Sequence, residues 1–430
     1  MPDDFRVDSK IRPPDSVDTN SISRDLDQAL RERWPQPKSE SEHQSIVKLT
    51  RSFTRLPWES ALAAIDTGAT IATVSLRASI EFLRAAADVA RVLEPAELRV
   101  WGELGRRLTM TDVETGVSFF VSGLGDFPNV PPTVRPFVFQ VCARQMILSA
   151  STAADTFRHA SSLAKQVPIP ELLRSVYEIA ATISRRSAKH SAEFLQATPG
   201  VVAALKSNQS FRDRTTAGDS DPNDQLMWSA IDLIKAFAEH AGGIAADAWL
   251  SLPTAIERLG PEQSDRLMRR SLNFLERGGA AALHVLISGS QILRTLPECF
   301  DDWIELLWTI APHGNAGLVA FVRASPAFFT GVAAIKDQHD ATNLARRVIK
   351  LTSEVGRVDS EAALACLRSS AKALRTVSIE QFASWARAGL ITGDTRARRS
   401  YYALETRSSN EALRAGDAGV TLESVQLLLR

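Results

Sequence analysis

Apolar residues recur at intervals of three and four positions along most of the chain, from about residue 44 onward. This spacing places them on one face of an α-helix, and the helix-favouring residues Ala, Leu, Arg and Glu dominate these stretches. In the representative segment 94–108, one stripe holds Leu98, Trp101, Leu104 and Leu108, while Glu97, Arg99 and Arg106 face away from it. Alternating, strand-like runs are scarce. The pattern therefore predicts an all-α fold.

Large apolar residues also recur in pairs separated by 18 positions: Trp101–Phe119, Phe139–Phe157, Val176–Phe194, Leu267–Val285, Trp303–Phe321 and Val348–Cys366, and less cleanly Ile231–Trp249. Trp385 precedes Tyr401 by 16 positions. The first members follow one another at intervals of 38, 37, 55, 36, 36, 45 and 37 residues. A period near 37 with two helices per unit predicts an α-solenoid of HEAT/TPR-like helical-hairpin repeats, about eight units of roughly 37 residues. We interpret the paired residues as core contacts between stacked helices; the alternative is a ligand-binding box.

Two copies of the repeat share a hexapeptide, FLQATP at 194–199 and FVRASP at 321–326. A Ser or Thr followed by Pro is typical of a helix N-terminus, because the hydroxyl caps the first turn and proline needs no N–H there. We therefore expect one helix to end near the aromatic residue of each copy. Thr198 or Ser325 would be the N-cap of the next helix, and Pro199 or Pro326 its first residue.

Polar stretches divide the chain. Residues 1–43 are rich in Ser, Asp, Pro and Glu and are predicted to be a largely disordered N-terminal segment; the alternative for part of it is a short helix from Ser23. Residues 206–224 form a second polar stretch that predicts a loop. The expected organisation is thus the N-terminal segment, helical repeats over 44–205, the loop, and helical repeats over 225–430.

The charges balance, with 50 Lys and Arg against 50 Asp and Glu, which argues against a broad basic surface for nucleic acid or an anionic membrane. The N-terminus lacks an apolar leader, and no stretch approaches the 18 uninterrupted apolar residues of a membrane span. We expect a soluble, cytoplasmic protein with no nucleic-acid partner and no membrane insertion. The cysteines Cys142, Cys299 and Cys366 lie far apart, so each is predicted to be a small buried residue in its reduced form.

The common catalytic and metal-binding motifs are missing from the sequence. No Gly precedes Lys, as a phosphate-binding loop requires, and G-x-G-x-x-G, G-x-S-x-G, H-E-x-x-H and C-x-x-C are also absent. We therefore predict that the chain is not an enzyme, with no catalytic, cofactor-binding or metal-binding residues and no cofactor. The alternative is an enzyme hidden in an all-helical shell.

Two further groups of residues bear on chemistry. The cluster from Asp337 to Asp340 is interpreted as a solvated turn, with a metal site as the alternative. His240 lies two residues before Gly242 and His313 directly before Gly314, positions that suit helix C-termini. Arginine pairs occur at 106–107, 185–186, 269–270, 346–347 and 398–399. We interpret most of these pairs as solvated helix faces; the alternative for one or two of them is a docking patch for an acidic partner.

A family resemblance lies in the stretch 378–430. It carries Trp385 and Gly389, then Tyr401, Tyr402, Ala403, Leu404, Glu405 and Thr406, then Gly419, Val420, Leu422, Val425, Leu429 and Arg430. This arrangement resembles the helical region of the CbbO/NorD family, with Thr406 in place of the family's Ser. The units ending at Phe119, Phe194 and Phe321 resemble the family's upstream repeats. The resemblance covers about 60–430, and its specific part is the last fifty residues.

The resemblance implies a non-catalytic adaptor. Family members partner a hexameric MoxR-type AAA+ ATPase and continue into a von Willebrand factor A domain with a D-x-S-x-S metal site, a motif that this sequence lacks. CbbO-like members act with a CbbQ-type ATPase to reactivate Rubisco, and NorD-like members act with a NorQ-type ATPase to mature nitric oxide reductase. Either the chain is the N-terminal part of a longer protein or the metal-binding half has been lost. The alternative function is a general protein–protein interaction solenoid with no ATPase partner.

Overall fold

The fold is known from a computed structural model, which describes residues 19–34, 40–207, 222–334, 338–374, 378–391, 399 and 401–402. All regular structure in these ranges is helical, and no strand occurs in them. The prediction of an all-α fold is therefore confirmed. The chain divides into two compact units, residues 1–196 and 197–430.

The first unit is a succession of short helices joined by tight turns. Its α-helices are α1 (Thr19–Arg33), α2 (Glu40–Thr50), α3 (Trp58–Ala72), α4 (Leu76–Val89), α5 (Pro95–Thr111), α6 (Val113–Val121), α7 (Arg135–Leu148), α8 (Ala150–Gln166), α9 (Pro170–Ser184) and α10 (Ala188–Lys206), the last of which crosses the unit boundary. Short 3-10 helices lie at Arg51–Arg55 and Phe127–Asn129. Helix α3 packs against α4 and α5, α5 against α6 and α7, and α7 against α8 and α9.

Four turns of the first unit share one N-cap arrangement. The side chains of Ser75, Asp112, Ser149 and Ser187 accept hydrogen bonds from the backbone N–H three residues later, at 3.3, 2.8, 3.3 and 3.2 Å. Such caps satisfy donors that the first turn of a helix leaves free, and they fix where α4, α6, α8 and α10 begin. Successive caps are 37 or 38 residues apart, so the helices of this unit form pairs of nearly constant length.

The second unit contains α11 (Pro222–Ile256), α12 (Pro261–Gly278), α13 (Ala281–Thr295), α14 (Phe300–Ile310), α15 (Asn315–Ala333), α16 (Gln338–Gly356), α17 (Ser360–Ala373) and α18 (Ile379–Ile391). Short 3-10 helices lie at Pro297–Cys299 and Ala311–His313. Most helices again pack against the next helix and the next but one: α11 contacts α12 and α13, and α16 contacts α17 and α18. Helix α15 lies against α13 and α17.

The predicted anchor residues form the cores of these helix pairs. Trp101, Trp303 and Trp385 are buried, as are Phe119, Phe194 and Phe321. The rings of Trp101 and Phe119 have centroids 5.8 Å apart, and those of Phe139 and Phe157 are 5.7 Å apart. The interpretation of these aromatics as core contacts is confirmed. The three cysteines are also buried and free, as predicted, and burial raises the pKa of the Cys142 and Cys366 thiols to about 12.

One pair with the 18-residue offset does not join two helices. Ile231 and Trp249 both lie in α11, which runs without a break over 35 residues. Because an α-helix has 3.6 residues per turn, positions 18 apart lie five full turns along one face of a single helix. The same offset therefore arises from a helix hairpin and from one long helix, and the prediction of two helices at this unit is wrong.

The prediction of helix starts at the two hexapeptides is also wrong. Pro199 lies inside α10 and Pro326 inside α15. The hydroxyl of Ser325 donates to the carbonyl of Phe321 at 2.9 Å, a bond back along its own helix, and the Thr198 hydroxyl accepts from the indole N–H of Trp249 at 3.1 Å. Both hydroxyl residues are buried. Packing against other helices therefore keeps α10 and α15 continuous through a proline that would break an isolated helix.

The N-terminal segment is more ordered than predicted. Helix α1 begins at Thr19, four residues before the alternative start at Ser23, and buries Leu26 and Leu30; Trp34, just after its end, is buried too. Arg33 pairs with Asp66 of α3 at 2.8 Å. The prediction of disorder is wrong for 19–34 and for the start of α2, while residues 1–18 and 35–39 lie outside the described residues. Most of the predicted loop 206–224 also lies outside them; its edges belong to α10 and α11.

Two further expectations need correction. Glu97 does not face away from the core: it is buried and completes a capping box by accepting the Glu94 backbone N–H at 3.0 Å. His240 lies inside α11, where its Nδ1 approaches the Ala236 carbonyl at 3.0 Å. The other histidine position is confirmed, because the 3-10 helix Ala311–His313 ends at Gly314, whose φ of 116° suits glycine.

Candidate interaction surface

The His, Cys, Asp and Glu side chains of the described ranges lie dispersed over the fold. Among the described residues, no three His, Cys, Asp or Glu side chains come together as metal ligands would. Asp337 lies outside the described residues, and Asp340 is an exposed residue in the first turn of α16. The choice between a solvated turn and a metal site for this cluster therefore stays a prediction.

Two surface grooves lie beside α1. One is lined by Asp27, Leu30, Arg31, Gln44, Val47, Lys48 and Arg51 of α1, α2 and the following 3-10 helix. The other is lined by Arg33, Trp34, Asp66, Ala69, Thr70 and Thr73 of α1, α3 and the linking residues. Both grooves are open to solvent. In the second, the Asp66 carboxylate pairs with Arg33, and the Thr70 hydroxyl donates to the Asp66 backbone carbonyl at 2.9 Å.

The C-terminal ends of α5, α7 and α9 are held side by side by two arginines. Arg107 Nη1 donates to the Met146 carbonyl at 3.2 Å, and Arg144 Nη1 donates to the Ala181 carbonyl at 2.6 Å. The last carbonyls of a helix lack partners within it and carry its negative dipole end, so a guanidinium is a favourable donor there. These bonds join successive pairs and bring the turns that follow α5, α7 and α9 to one edge of the first unit.

This edge carries a row of residues that we call the turn strip, all of them solvent-exposed except the half-buried Val74. It consists of the two residues before each N-cap: Thr73 and Val74, Met110 and Thr111, Ile147 and Leu148, and Arg185 and Arg186. Met110, Ile147 and Leu148 are 62, 70 and 54% exposed, and Val113, just after the second cap, is 40% exposed. Neighbouring exposed apolar side chains of this size are typical of interaction sites in soluble proteins.

The charges along the turn strip are uneven. Near Met110, Arg106 and Arg107 are both paired with Glu103 at 2.6 and 2.9 Å, and Glu114 forms an ion pair with Arg77. At the other end, Arg185 is exposed and has no ion pair among the described residues. Burial, together with the nearby charge of Arg185, lowers the pKa of Arg144, which indicates that positive charge accumulates beside the α9–α10 turn.

Other arginine pairs join neighbouring helices of the second unit. Arg270 pairs with Asp301, Arg346 with Asp302 and Arg347 with Glu380, each at 3.0 Å, and Arg399 pairs with Asp359 at 2.9 Å. Arg398 lies outside the described residues. The interpretation of these pairs as solvated faces is thus incomplete, since half-exposed arginines form ion pairs with carboxylates of adjacent helices.

One aromatic cluster contains Trp385, Tyr401 and Tyr402. These residues begin the motif that resembles the CbbO/NorD family, which we call the family-like motif. Trp385 stacks on Tyr401 with ring centroids 5.6 Å apart, and Tyr402 meets Trp385 edge-on at 5.3 Å. The hydroxyl of Tyr401 donates to the Trp385 carbonyl at 3.0 Å, and that of Tyr402 donates to Ala386. A Cβ at Gly389 would lie 2.8 Å from the ring of Tyr401 and closer still to Tyr402. A glycine four residues after Trp385 therefore leaves room for both tyrosine side chains. Residues 403–430 lie outside the described residues.

One described helix is long and apolar enough to cross a membrane by length and composition alone. It is the part of α15 from Ala316 to Ala333, with 39% of its residues buried. A core helix of a soluble protein passes the same test, and α15 packs against α13 and α17 with Phe321 and Phe329 buried. The expectation of no membrane insertion stays a prediction.

No protein-family model, no curated protein and no solved structure matches this chain.

Proposed function

We propose that this chain is a non-catalytic scaffold that binds other proteins, built as an α-solenoid of the HEAT or TPR kind. The observation that carries the proposal is the regular succession of helix pairs. In the first unit, the first helices of the pairs begin at residues 58, 95, 135 and 170, and in the second at 261, 300 and 338. Repeats of this length stack into extended surfaces that serve for protein binding.

A narrower role is the one that the family resemblance implies. We propose that the scaffold is an adaptor that docks on a hexameric MoxR-type AAA+ ATPase of the CbbQ or NorQ kind and positions a client. The client would be Rubisco, as for CbbO-like proteins, or nitric oxide reductase, as for NorD-like proteins. The aromatic cluster of Trp385, Tyr401 and Tyr402 supports this role, because contacts among these three rings explain why they occur together in the family-like motif.

Mixing experiments test the adaptor role. The purified chain should show no ATP hydrolysis, because it lacks a phosphate-binding loop. Analytical ultracentrifugation of the chain with a MoxR-type ATPase, in the presence of ATP, should show a complex heavier than the free hexamer. If only free hexamer and free chain sediment at micromolar concentration, the adaptor role fails, and the general scaffold is the remaining proposal.

A further inference from the structure

The apolar part of the turn strip has a defined spacing. Met110 and Ile147 each lie two residues before an N-cap, so they occupy equivalent positions in neighbouring helix pairs. Packed helices lie with their axes about 8–10 Å apart, and the Arg107 bond to Met146 keeps the two helix ends adjacent. In an α-helix, residues one heptad apart are separated by about 10.5 Å along its axis. A helix lying across the strip can therefore place one apolar side chain at each turn.

The next turn along the strip is cationic. Arg185 holds the position equivalent to Met110 and Ile147, two residues before the N-cap Ser187. It lies near Arg144, whose guanidinium is already used on the Ala181 carbonyl. A carboxylate one further heptad along the same bound helix would reach this turn, where it would relieve the repulsion between the two arginines.

We propose that the turn strip of the first unit binds an acidic amphipathic helix of another protein, with apolar side chains over Met110, Ile147 and Leu148 and carboxylates at Arg185. The apolar contacts exclude water from the middle of the interface, and the charges at one end fix the direction of the bound helix. The proposal rests on the scaffold function above but not on the identity of the ATPase.

The strip suits a protein segment better than an anionic membrane. Asp112 lies beside the exposed Met110 and Val113, while the nearby Glu114 pairs with Arg77. Hydrogen bonds from Thr115, chiefly from its hydroxyl, lower the pKa of Asp112, so this carboxylate is charged at neutral pH. A membrane that received the apolar side chains would also bring its negative headgroups against the Asp112 carboxylate. A peptide avoids that repulsion because it carries carboxylates at one end only.

Fluorescence anisotropy with synthetic helical peptides tests the proposal on the full chain. The probe carries leucines one heptad apart followed by glutamates a further heptad on, and the matched peptide carries lysines in place of the glutamates. We expect the glutamate peptide to bind at least about tenfold more tightly at low salt. Ile147→Asp should weaken its binding by at least about tenfold, and Arg185→Glu should reverse the preference between the two peptides.

A matched surface variant controls for nonspecific effects. Val121 is 68% exposed at the far end of α6, outside the strip, so Val121→Asp should leave peptide binding unchanged. Circular dichroism should show that all three variants keep the wild-type helical spectrum, because each replaced side chain is exposed.

Several outcomes would overturn the proposal. These are equal binding of the two peptides, no binding of either, or unchanged binding by Ile147→Asp. Binding to phosphatidylserine vesicles that Ile147→Asp abolishes would assign the strip to a membrane, and self-association that Ile147→Asp abolishes would assign it to a second copy of the chain. Failure of the peptides alongside a complex with the ATPase would place the scaffold's binding surface elsewhere, so the two proposals fail separately.

Discussion

Replacing Gly105 with alanine measures how closely α5 and α6 pack. The added Cβ would lie 2.8 Å from Cε2 of Phe120 and closer still to two other atoms of that ring. Because real Cβ atoms essentially never approach another heavy atom within 3.0 Å, the ring would have to move. Phe120 is buried, with the ring centroids of Phe82 and Trp101 at 5.4 and 5.2 Å, so it has little room to do so.

The magnitude follows from two opposing effects. Overpacking a core costs about 1–3 kcal/mol, whereas alanine in a helix is more favourable than glycine by up to about 1 kcal/mol. A Cβ this close to a buried ring belongs at the upper end of the overpacking range, so after the gain in helix propensity Gly105→Ala should lower the free energy of unfolding by about 2 kcal/mol. Gly200 in α10 is the matched control, because a Cβ there would meet nothing within 4 Å. Gly200→Ala should raise the free energy of unfolding by about 0.4–1 kcal/mol.

Urea unfolding followed by tryptophan fluorescence and by circular dichroism measures both variants. The slope of the transition should match that of the wild type, so that a change in midpoint reports a change in stability. The two probes should be compared first, since a chain with two compact units can unfold in more than one step. If Gly105→Ala proved as stable as the wild type while Gly200→Ala was more stable, close packing of α5 on Phe120 would be refuted.

Three further predictions concern the core, a helix cap and an ion pair. Trp303→Ala should lower the free energy of unfolding by about 3–5 kcal/mol, because the indole is buried; unchanged stability with lost partner binding would make Trp303 an interface residue. Ser149→Ala should cost about 1 kcal/mol in thermal or urea unfolding by removing an N-cap, whereas the exposed Ser118→Ala should change stability by less than about 0.5 kcal/mol; equal effects would contradict the cap. Burial alone would raise the pKa of Asp359, but hydrogen bonds from Arg399 and from the backbone N–H groups of Ala362 and Glu361 outweigh it and hold that pKa below its usual value. The stability from this carboxylate is therefore present above the unfolded-state pKa of about 3.9 and is lost as the pH falls through the lower folded-state value. Urea unfolding at successive pH values should show less acid sensitivity in Asp359→Asn, and an unchanged pH dependence would contradict the assignment.

The sequence predicts the helices and many of their core residues because burial imposes a periodicity on them. The 18-residue spacing alone predicts that Trp101 and Phe119 pack together, and the tight turn between α5 and α6 does bring their rings into contact. The same spacing led to a wrong prediction of two helices at Ile231 and Trp249, because five turns of one helix also separate residues by 18 positions. An apolar period determines which face of a helix is buried, but it does not determine where the helix ends.

Proline at the two hexapeptides was misinterpreted for a related reason. Thr-Pro and Ser-Pro occur both at helix starts and inside helices that tertiary packing keeps continuous. At Thr198 the hydroxyl accepts a hydrogen bond from the indole of Trp249, 51 residues away. No local pattern contains that contact, so only the packed structure distinguishes the two cases.

From the sequence, only the alternative of an arginine docking patch for an acidic partner touches the turn strip, at Arg185 and Arg186; its apolar residues were not predicted, although the sequence carries a signal for them. Aligning the chain on Ser75, Asp112, Ser149 and Ser187 brings Met110, Ile147 and Arg185 into one register. The arginine pairs at 106–107 and 185–186 look alike in one dimension, yet Glu103 pairs with both arginines of the first while Arg185 has no ion pair among the described residues. The availability of a cation to a partner thus depends on carboxylates one helical turn away or on the next helix. The charge-reversal experiment at Arg185 depends on this difference between the two pairs.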